Sequence, residues 1–339
     1  MLLQVKIVSE RGILMIKYAV IGTGWIAEEF VKGTQLVDGL EFAAVYSRSK
    51  ERGKAFAEPF GEVTIFDDIN DLAKSDVDAV YIASPNSLHY SQSKLMLQNG
   101  KHVICEKPVT VEPEEFAELR ALADEKNLIY MEAIMYMHLP ARKILKEWAG
   151  KIGEITTAHF DFSQLSSKYP ALKNGENPNI FNPEFATGCL MDLGIYCVYP
   201  ALDLFGIPES ISSAAGFLNT GADGYGTAVL DYKDKQVTLT YSKTGQSRFG
   251  SQIFGDKGTL ATPSISKLVN LSYFDNDGHE FVITPDTEKH VLMSYEAQSF
   301  YNYITDPDTK VEYNKVNNIT YVVNEILRII RAQTGIKFR

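Results

Sequence analysis

Short apolar runs alternate with amphipathic stretches along the first 135 residues. The runs at 17–22, 41–47, 63–66, 79–83, 102–106 and 128–132 predict strands, each rich in β-branched or aromatic residues. Between them lie helical patterns. Over 87–99, Ser91, Leu95, Met96 and Asn99 mark one face and Gly100 marks the stop. Over 112–126, Pro113 falls in the first turn, where its missing N–H breaks no helical bond. Repeated β-α-β units of this kind predict a parallel sheet covered on both faces, and the apolar run 18–21 reads as one of its buried strands.

The pattern changes near Gly150. Residues 153–163 read as a longer strand, and 164–184, with Pro170, Pro178 and Pro183, predict a long loop. The stretch 188–205 predicts a partly buried helix. From 210 to 283 the chain is strand-like, with alternation in Val237-Thr238-Leu239-Thr240-Tyr241 and a turn at Asn276-Asp277-Gly278. Helices at 292–304 and 317–331 close the chain. The expected fold class is α/β plus α+β. A nucleotide-binding domain of the doubly wound type covers 15–135. An α+β domain covers 136–339, with a large, mostly antiparallel open sheet and last helices that pack back on the first domain. Residues 1–14 read as an N-terminal extension, because Met15-Ile16-Lys17 would open the first strand directly.

A length of 339 residues suits two domains. Apolar content of 45% and charged content of 22% fit a globular protein, and no apolar run is expected to reach the roughly 18 to 20 residues of a membrane span. Lys6, Glu10 and Arg11 interrupt any signal-peptide core. Cys105, Cys189 and Cys197 are widely spaced and odd in number, so a disulfide framework is not expected and a cytoplasmic setting is. Net charge is -10, from 33 basic and 43 acidic residues, which argues against nucleic acid as a partner. His138, His159, His279 and His290 lack paired ligand spacing, so no metal site is expected.

The strongest chemical signal is Gly22-Thr23-Gly24-Trp25-Ile26-Ala27, which fits G-x-G-x-x-G/A. Gly22 allows a tight turn, Gly24 lets the backbone approach a pyrophosphate, and Ala27 lets the helix pack close to the strand. The helix N-terminus then offers free N–H groups to the anion. The motif follows a predicted strand and opens a helix, the context it requires for dinucleotide binding. At the end of the second strand stand Tyr46-Ser47-Arg48-Ser49, without a carboxylate for a ribose 2′-OH. Ser47 and Arg48 would hold a 2′-phosphate, which favours NADP(H) and leaves NAD(H) open. The competing reading of this tip is a solvated basic turn.

The segment AVYIASPNSLHYSQSKLMLQNGKHVICEKPV, residues 79–109, resembles the Gfo/Idh/MocA family, named for glucose–fructose oxidoreductase, inositol dehydrogenase and rhizopine catabolism. Four signatures agree in order: the Gly22/Gly24/Ala27 turn, Ser84-Pro85-Asn86 with His89, Glu106-Lys107-Pro108, and the run Gly188 to Tyr196. The resemblance covers nearly the whole chain from Met15. It implies a Rossmann domain followed by an α+β domain, and a homodimer or homotetramer through the open sheet. It also implies hydride transfer between nicotinamide C4 and a secondary alcohol or ketone of a sugar, cyclitol or related polyol. Lys107 would polarise the substrate oxygen, Tyr196 would act as general acid/base, and Asp192 would orient the substrate hydroxyl or Lys107. Asp192 and Tyr196, four apart on one predicted helix, would share a face. Without the resemblance, Tyr196 reads as a core aromatic between Leu193, Ile195 and Val198.

By the same resemblance Ser84, Pro85 and Asn86 lie over the cofactor and Glu106 faces the nicotinamide ribose. His89 has either a ligand or a packing role. Tyrosine at 196, where many relatives carry histidine, resembles the glucose–fructose oxidoreductase and dihydrodiol dehydrogenase branches. Met137 stands where many relatives carry arginine. Lys168, Tyr169 and Asn182 in the long loop are candidate substrate contacts. Two alternatives remain at this point: a dinucleotide-binding regulator without turnover, and an NAD-recycling glycoside hydrolase.

Overall fold

The computed structural model describes residues 13–338. Most of the predicted extension 1–14 therefore lies outside the described residues; of the remainder, the Leu14 carbonyl accepts from the Tyr301 hydroxyl at 3.1 Å.

The first sheet contains β1 (Ile16–Ile21), β2 (Leu40–Tyr46), β3 (Thr64–Phe66), β4 (Ala79–Ile82), β5 (His102–Glu106) and β6 (Tyr130–Ala133). All its pairings are parallel, in the order β3-β2-β1-β4-β5-β6. The connecting helices are α1 (Trp25–Thr34), α2 (Lys50–Ala57), α3 (Ile69–Lys74), α4 (Asn86–Gln98) and α5 (Pro113–Glu125). Strand order reverses between β1 and β4, and ligands of such sheets bind in the crevice at the carboxyl ends of those strands. The central strand β4 and the edge strand β6 are buried at every position, as expected where other elements cover the sheet.

Two short helices, α6 (Met135–His138) and α7 (Pro140–Ala149), lead to the second sheet. It comprises β7 (Ile155–Ser163), β8 (Ser210–Phe217), β9 (Asp223–Asp231), β10 (Gln236–Ser242), β11 (Ser251–Gly255), β12 (Gly258–Thr262), β13 (Ser272–Phe274) and β14 (Glu280–Val282). The order is β14-β13-β12-β11-β7-β10-β9-β8, antiparallel except for the β7–β10 pair. Along β10, Val237, Leu239 and Tyr241 are buried while the residues between them are not, so one face packs inward.

The long loop is more ordered than its prolines suggested. It contains α8 (Tyr169–Lys173) and 3-10 turns at Asn179–Phe181 and Pro183–Phe185. Pro170 and Pro183 sit in the first turns of two of these elements, where proline starts a helix rather than breaking one. The predicted helix 188–205 is two elements: a π-helical turn at Leu190–Gly194 and α9 (Ile195–Phe205). The continuous stretch Pro183–Phe205 is long and apolar enough to match a membrane span, contrary to the sequence expectation. Yet 83% of its most apolar window is buried inside the fold, where α9 packs against β7 and β10 of the second sheet.

The last helices, α10 (Lys289–Thr305) and α11 (Lys310–Thr334), both start earlier than predicted. In α11 the buried face begins with Tyr313 and Val316 and continues through Thr320, Val323 and Leu327. Both helices meet the first sheet's layer. The Tyr313 hydroxyl donates to the Tyr130 carbonyl of β6 at 3.1 Å, and Arg331 forks onto Glu112 ahead of α5.

Candidate active site

The glycine turn follows β1. Gly22 has φ +111°, and a Cβ there would lie 2.5 Å from the Ala83 carbonyl oxygen, so only glycine fits. Gly24 caps α1 without a side-chain hydrogen bond, and a Cβ on it would meet nothing within 4 Å. Open space therefore lies in front of an uncapped helix N-terminus, with Thr23 in the turn and Trp25, Ile26 and Ala27 opening the helix. This arrangement fits a pyrophosphate. Ala27 is fully buried, as close strand–helix packing requires.

Beside the turn lies the tip of β2, where the Gly22 N–H donates to the Tyr46 carbonyl at 3.3 Å. Ser47 is buried, and its hydroxyl accepts the Ser49 N–H at 3.3 Å. Arg48 is exposed and has no carboxylate partner among the described residues.

Past β4, the Ser84-Pro85-Asn86 segment turns into α4. The Asn86 side chain donates to the Ala186 carbonyl at 2.9 Å, bridging to the loop ahead of the π turn. His89 is fully buried. Its Nδ1 lies 2.7 Å from the Pro108 carbonyl and its Nε2 2.9 Å from that of Ser84. It thus ties two loops together, and it also borders the cavity that opens between them and the second sheet.

A cavity of about 600 Å³ opens between these loops and the second sheet. Ile26, Ser84, Asn86, Glu106, Lys107, Asp192 and Tyr196 all line it. At its floor the Lys107 ammonium donates to Asp192 Oδ1 at 2.5 Å and to the Asp192 carbonyl at 2.9 Å. Lys107 also lies 5.1 Å from the centroid of the Tyr196 ring. The π turn presents both Asp192 oxygen types to one lysine, and widened turns of this kind recur at functional sites. Burial opposes a charge on Lys107, but Asp192, Tyr196 and Glu106 together hold its pKa above the usual lysine range. Burial likewise works against the Asp192 carboxylate. Lys107 and Lys243 outweigh it and hold the carboxyl well below its usual range. The Tyr196 hydroxyl is raised by burial, with Lys107 pulling the other way. Glu106 accepts the Tyr81 hydroxyl at 2.5 Å, and burial pushes its carboxyl up.

A family model described as the oxidoreductase family with NAD-binding Rossmann fold, GFO_IDH_MocA, matches residues 16–134. A model of the GFO/IDH/MocA C-terminal domain matches 138–261. The chain belongs to the Gfo/Idh/MocA family. It is 41% identical over 254 residues to the uncharacterized oxidoreductase YgjR of Escherichia coli, covering 75% of this chain and 77% of that one. It is 38% identical over 265 residues to the scyllo-inositol 2-dehydrogenase (NADP(+)) IolU of Bacillus subtilis, covering 78% and 81%. Among solved structures, KijD10, a 3-ketoreductase from Actinomadura kijaniata in complex with NADP and TDP-benzene, superposes with TM-score 0.81. That match has 21% identity and covers 94% and 98% of the two chains. This member of the family is an NAD(P)-dependent dehydrogenase or reductase, and its Rossmann sheet binds a nicotinamide dinucleotide.

Sequence reasoning missed several site residues. Lys243 is 2% exposed and places Nζ 2.8 Å from Asp192 Oδ2. A signal was present: Lys243 continues the inward phase of Val237, Leu239 and Tyr241, and a lysine in an apolar phase needs a partner. Lys267 and Lys289 also line the cavity. The long loop reaches it through Gln164 to Ser167 and Ile180, not through Lys168, Tyr169 or Asn182. Asn182 is instead spent on its own turn, accepting the Glu184 N–H at 3.1 Å, and Tyr169 packs edge-on against Phe181. Glu132 lies behind the cavity, fully buried, where it accepts the Val109 N–H at 2.7 Å and the Tyr199 hydroxyl. Away from the cavity, Asp275, Asp277 and His279 bring ligand-type atoms within 4.8 Å of one another, but Asp275 is already occupied by the backbone N–H groups of its own turn.

Proposed function

We propose that this protein interconverts a secondary alcohol and its ketone on a sugar, cyclitol or related polyol, with NADP(H) as the preferred cofactor. The observation that carries this reading is the Lys107–Asp192–Tyr196 cluster at the floor of a cavity that opens beside the glycine turn.

A bound nicotinamide dinucleotide supplies the hydride acceptor or donor. The chain's own task is the proton and the orientation. The Tyr196 hydroxyl, raised by burial, stays protonated and is a ready donor to a carbonyl oxygen in the reductive direction. In the oxidative direction its phenolate form takes the substrate proton, and the Lys107 charge over its ring favours that form. Lys107 stabilises negative charge on the substrate oxygen. Asp192 fixes the Lys107 ammonium through two contacts and so plays the orienting role toward lysine rather than substrate. Ser166, Ser167 and Asn86 offer hydroxyl and amide partners suited to a polyol.

NADP(H) preference is supported by the unpaired Arg48 at the β2 tip and by the NADP(+) in the name of the Bacillus relative. That relative's scyllo-inositol is the natural first substrate to try. A cytoplasmic setting accords with three buried, free cysteines, and a homodimer or homotetramer remains part of the proposal. The test is to titrate NADPH and NADH separately and then follow NADP+ reduction over a panel of cyclitols, aldoses and sugar alcohols. The reading expects tighter NADPH binding and turnover of at least one polyol that Tyr196→Phe abolishes. NADH preference would overturn the cofactor assignment, and turnover that survives Tyr196→Phe would overturn the catalytic one.

A further inference from the structure

Among the described residues, Lys289 is a cation without an ion-pair partner. It opens α10, in the C-terminal part of the chain, but it lines the cavity beside the glycine turn. Its Nζ stands 5.7 Å from the centroid of the Trp25 ring, and Trp25 is the first residue of α1. That placement is set by helix packing. α10 presses so closely on α1 that a Cβ on Gly33 would lie 2.9 Å from the His290 carbonyl oxygen.

The surroundings of Lys289 leave its charge unmatched. Burial pushes its pKa down, and Lys107 and Lys267 push the same way, against the pull of Glu106 and Glu296. Neither carboxylate forms an ion pair with it among the described residues. Glu106 is engaged by the Tyr81 hydroxyl and the Lys107 N–H, and Glu296 Oε2 is buried without a partner. A partly desolvated, unpaired ammonium is unfavourable unless a ligand supplies the anion.

The glycine turn needs such a charge. Gly22 to Ala27 contains no lysine or arginine, and the α1 N-terminus contributes only about half a positive charge against a pyrophosphate's two negative ones. Arg48 stands at the β2 tip, outside the lining of this cavity. We propose that Lys289 is a phosphate ligand, holding the dinucleotide's pyrophosphate together with the uncapped N-terminus of α1. This rests on the dinucleotide reading of the glycine turn and adds to it a full charge delivered from the C-terminal part of the chain. Because NADPH and NADH share the pyrophosphate, Lys289 contributes to both alike.

The experiment is calorimetric titration of NADPH and of NADH into wild type, Lys289→Met and Lys289→Arg, with the thermal midpoint of each unliganded protein measured alongside. Lys289→Met is expected to weaken both dinucleotides by about tenfold, the scale of one charge-assisted contact. Lys289→Arg is expected to stay close to wild type, with both unliganded midpoints unchanged. Unaltered affinity of Lys289→Met for both dinucleotides would overturn the inference. Weakening confined to NADPH would also overturn it, because it would move Lys289 to the 2′-phosphate. A wild type that binds neither dinucleotide would instead sink the cofactor reading itself, and this inference with it.

Discussion

Lys243 Nζ stands 2.8 Å from Asp192 Oδ2, while Lys107 holds the other carboxylate oxygen, so one aspartate is clamped between two lysines. The clamp fixes the Asp192 rotamer and, through it, the Lys107 ammonium. Lys243→Met should let the Asp192 pKa rise, because one of the two cations that offset its burial is gone. With scyllo-inositol and NADP+, or the best substrate of the panel, kcat should fall by about tenfold or more with a smaller change in KM. The acid limb of the pH–rate profile should move to higher pH. A profile that keeps its acid limb would show that Lys243 only fills space.

Tyr196→Phe keeps the ring that packs 5.4 Å from Phe162 and removes only the hydroxyl. The chemical rate should drop by roughly a hundredfold or more. Affinity for NADPH should be unchanged, because the glycine turn and the β2 tip are untouched. Single-turnover kinetics with pre-bound cofactor separates the two effects.

Arg48→Ala acts at the exposed tip of β2, where the guanidinium has no carboxylate partner. The affinity for NADPH should fall by about tenfold or more, the loss of a forked contact to phosphate. The affinity for NADH should barely move. Equal weakening of the two would remove the 2′-phosphate from Arg48.

Glu132 couples stability to pH. Burial pushes its carboxyl from 4.5 to about 7, although the Tyr199 hydroxyl and the Val109 N–H both favour the ionised form. Between these values the folded chain keeps a proton that the unfolded chain gives up. Its contribution is full below pH 4.5, is lost as pH rises through about 7, and changes no further above that. The slope approaches about 1.4 kcal/mol per pH unit at most. Urea midpoints from pH 5 to 8 should therefore fall more steeply for wild type than for Glu132→Gln. Parallel curves would place the Glu132 titration outside this range.

Much of this site was legible because its residues are local to strand ends. Gly22, Ser84 and Lys107 each follow a parallel strand, and period and motif together mark where such strands stop. Lys243 was legible in principle, from the phase of β10, but only once that strand's inward face was known. Lys289 was not legible. Its meaning depends on α10 folding back onto α1, a contact between residues more than 250 positions apart in sequence. The π turn was hidden for a different reason: Leu190 to Gly194 has the composition of an ordinary buried helix, and the widened turn shows only in the backbone. The prolines of the long loop misled because proline both ends one element and begins the next.

Gly22 and Gly24, two residues apart, should fail in opposite ways. At Gly22 the backbone is left-handed and a Cβ would be driven into the Ala83 carbonyl, so Gly22→Ala should destabilise the protein whether or not cofactor is present. At Gly24, φ is -85° and the added methyl would meet no protein atom within 4 Å. Gly24→Ala should therefore fold normally, with a thermal midpoint at or slightly above wild type. The methyl would nevertheless occupy the space into which a pyrophosphate must come, so affinity for both NADPH and NADH should fall sharply. Comparing the two variants by thermal melts with and without NADPH separates fold from ligand. Gly24→Ala should lose the ligand-induced rise in midpoint while keeping its own. If that rise persists in full, the open space in front of α1 is not where the phosphates sit.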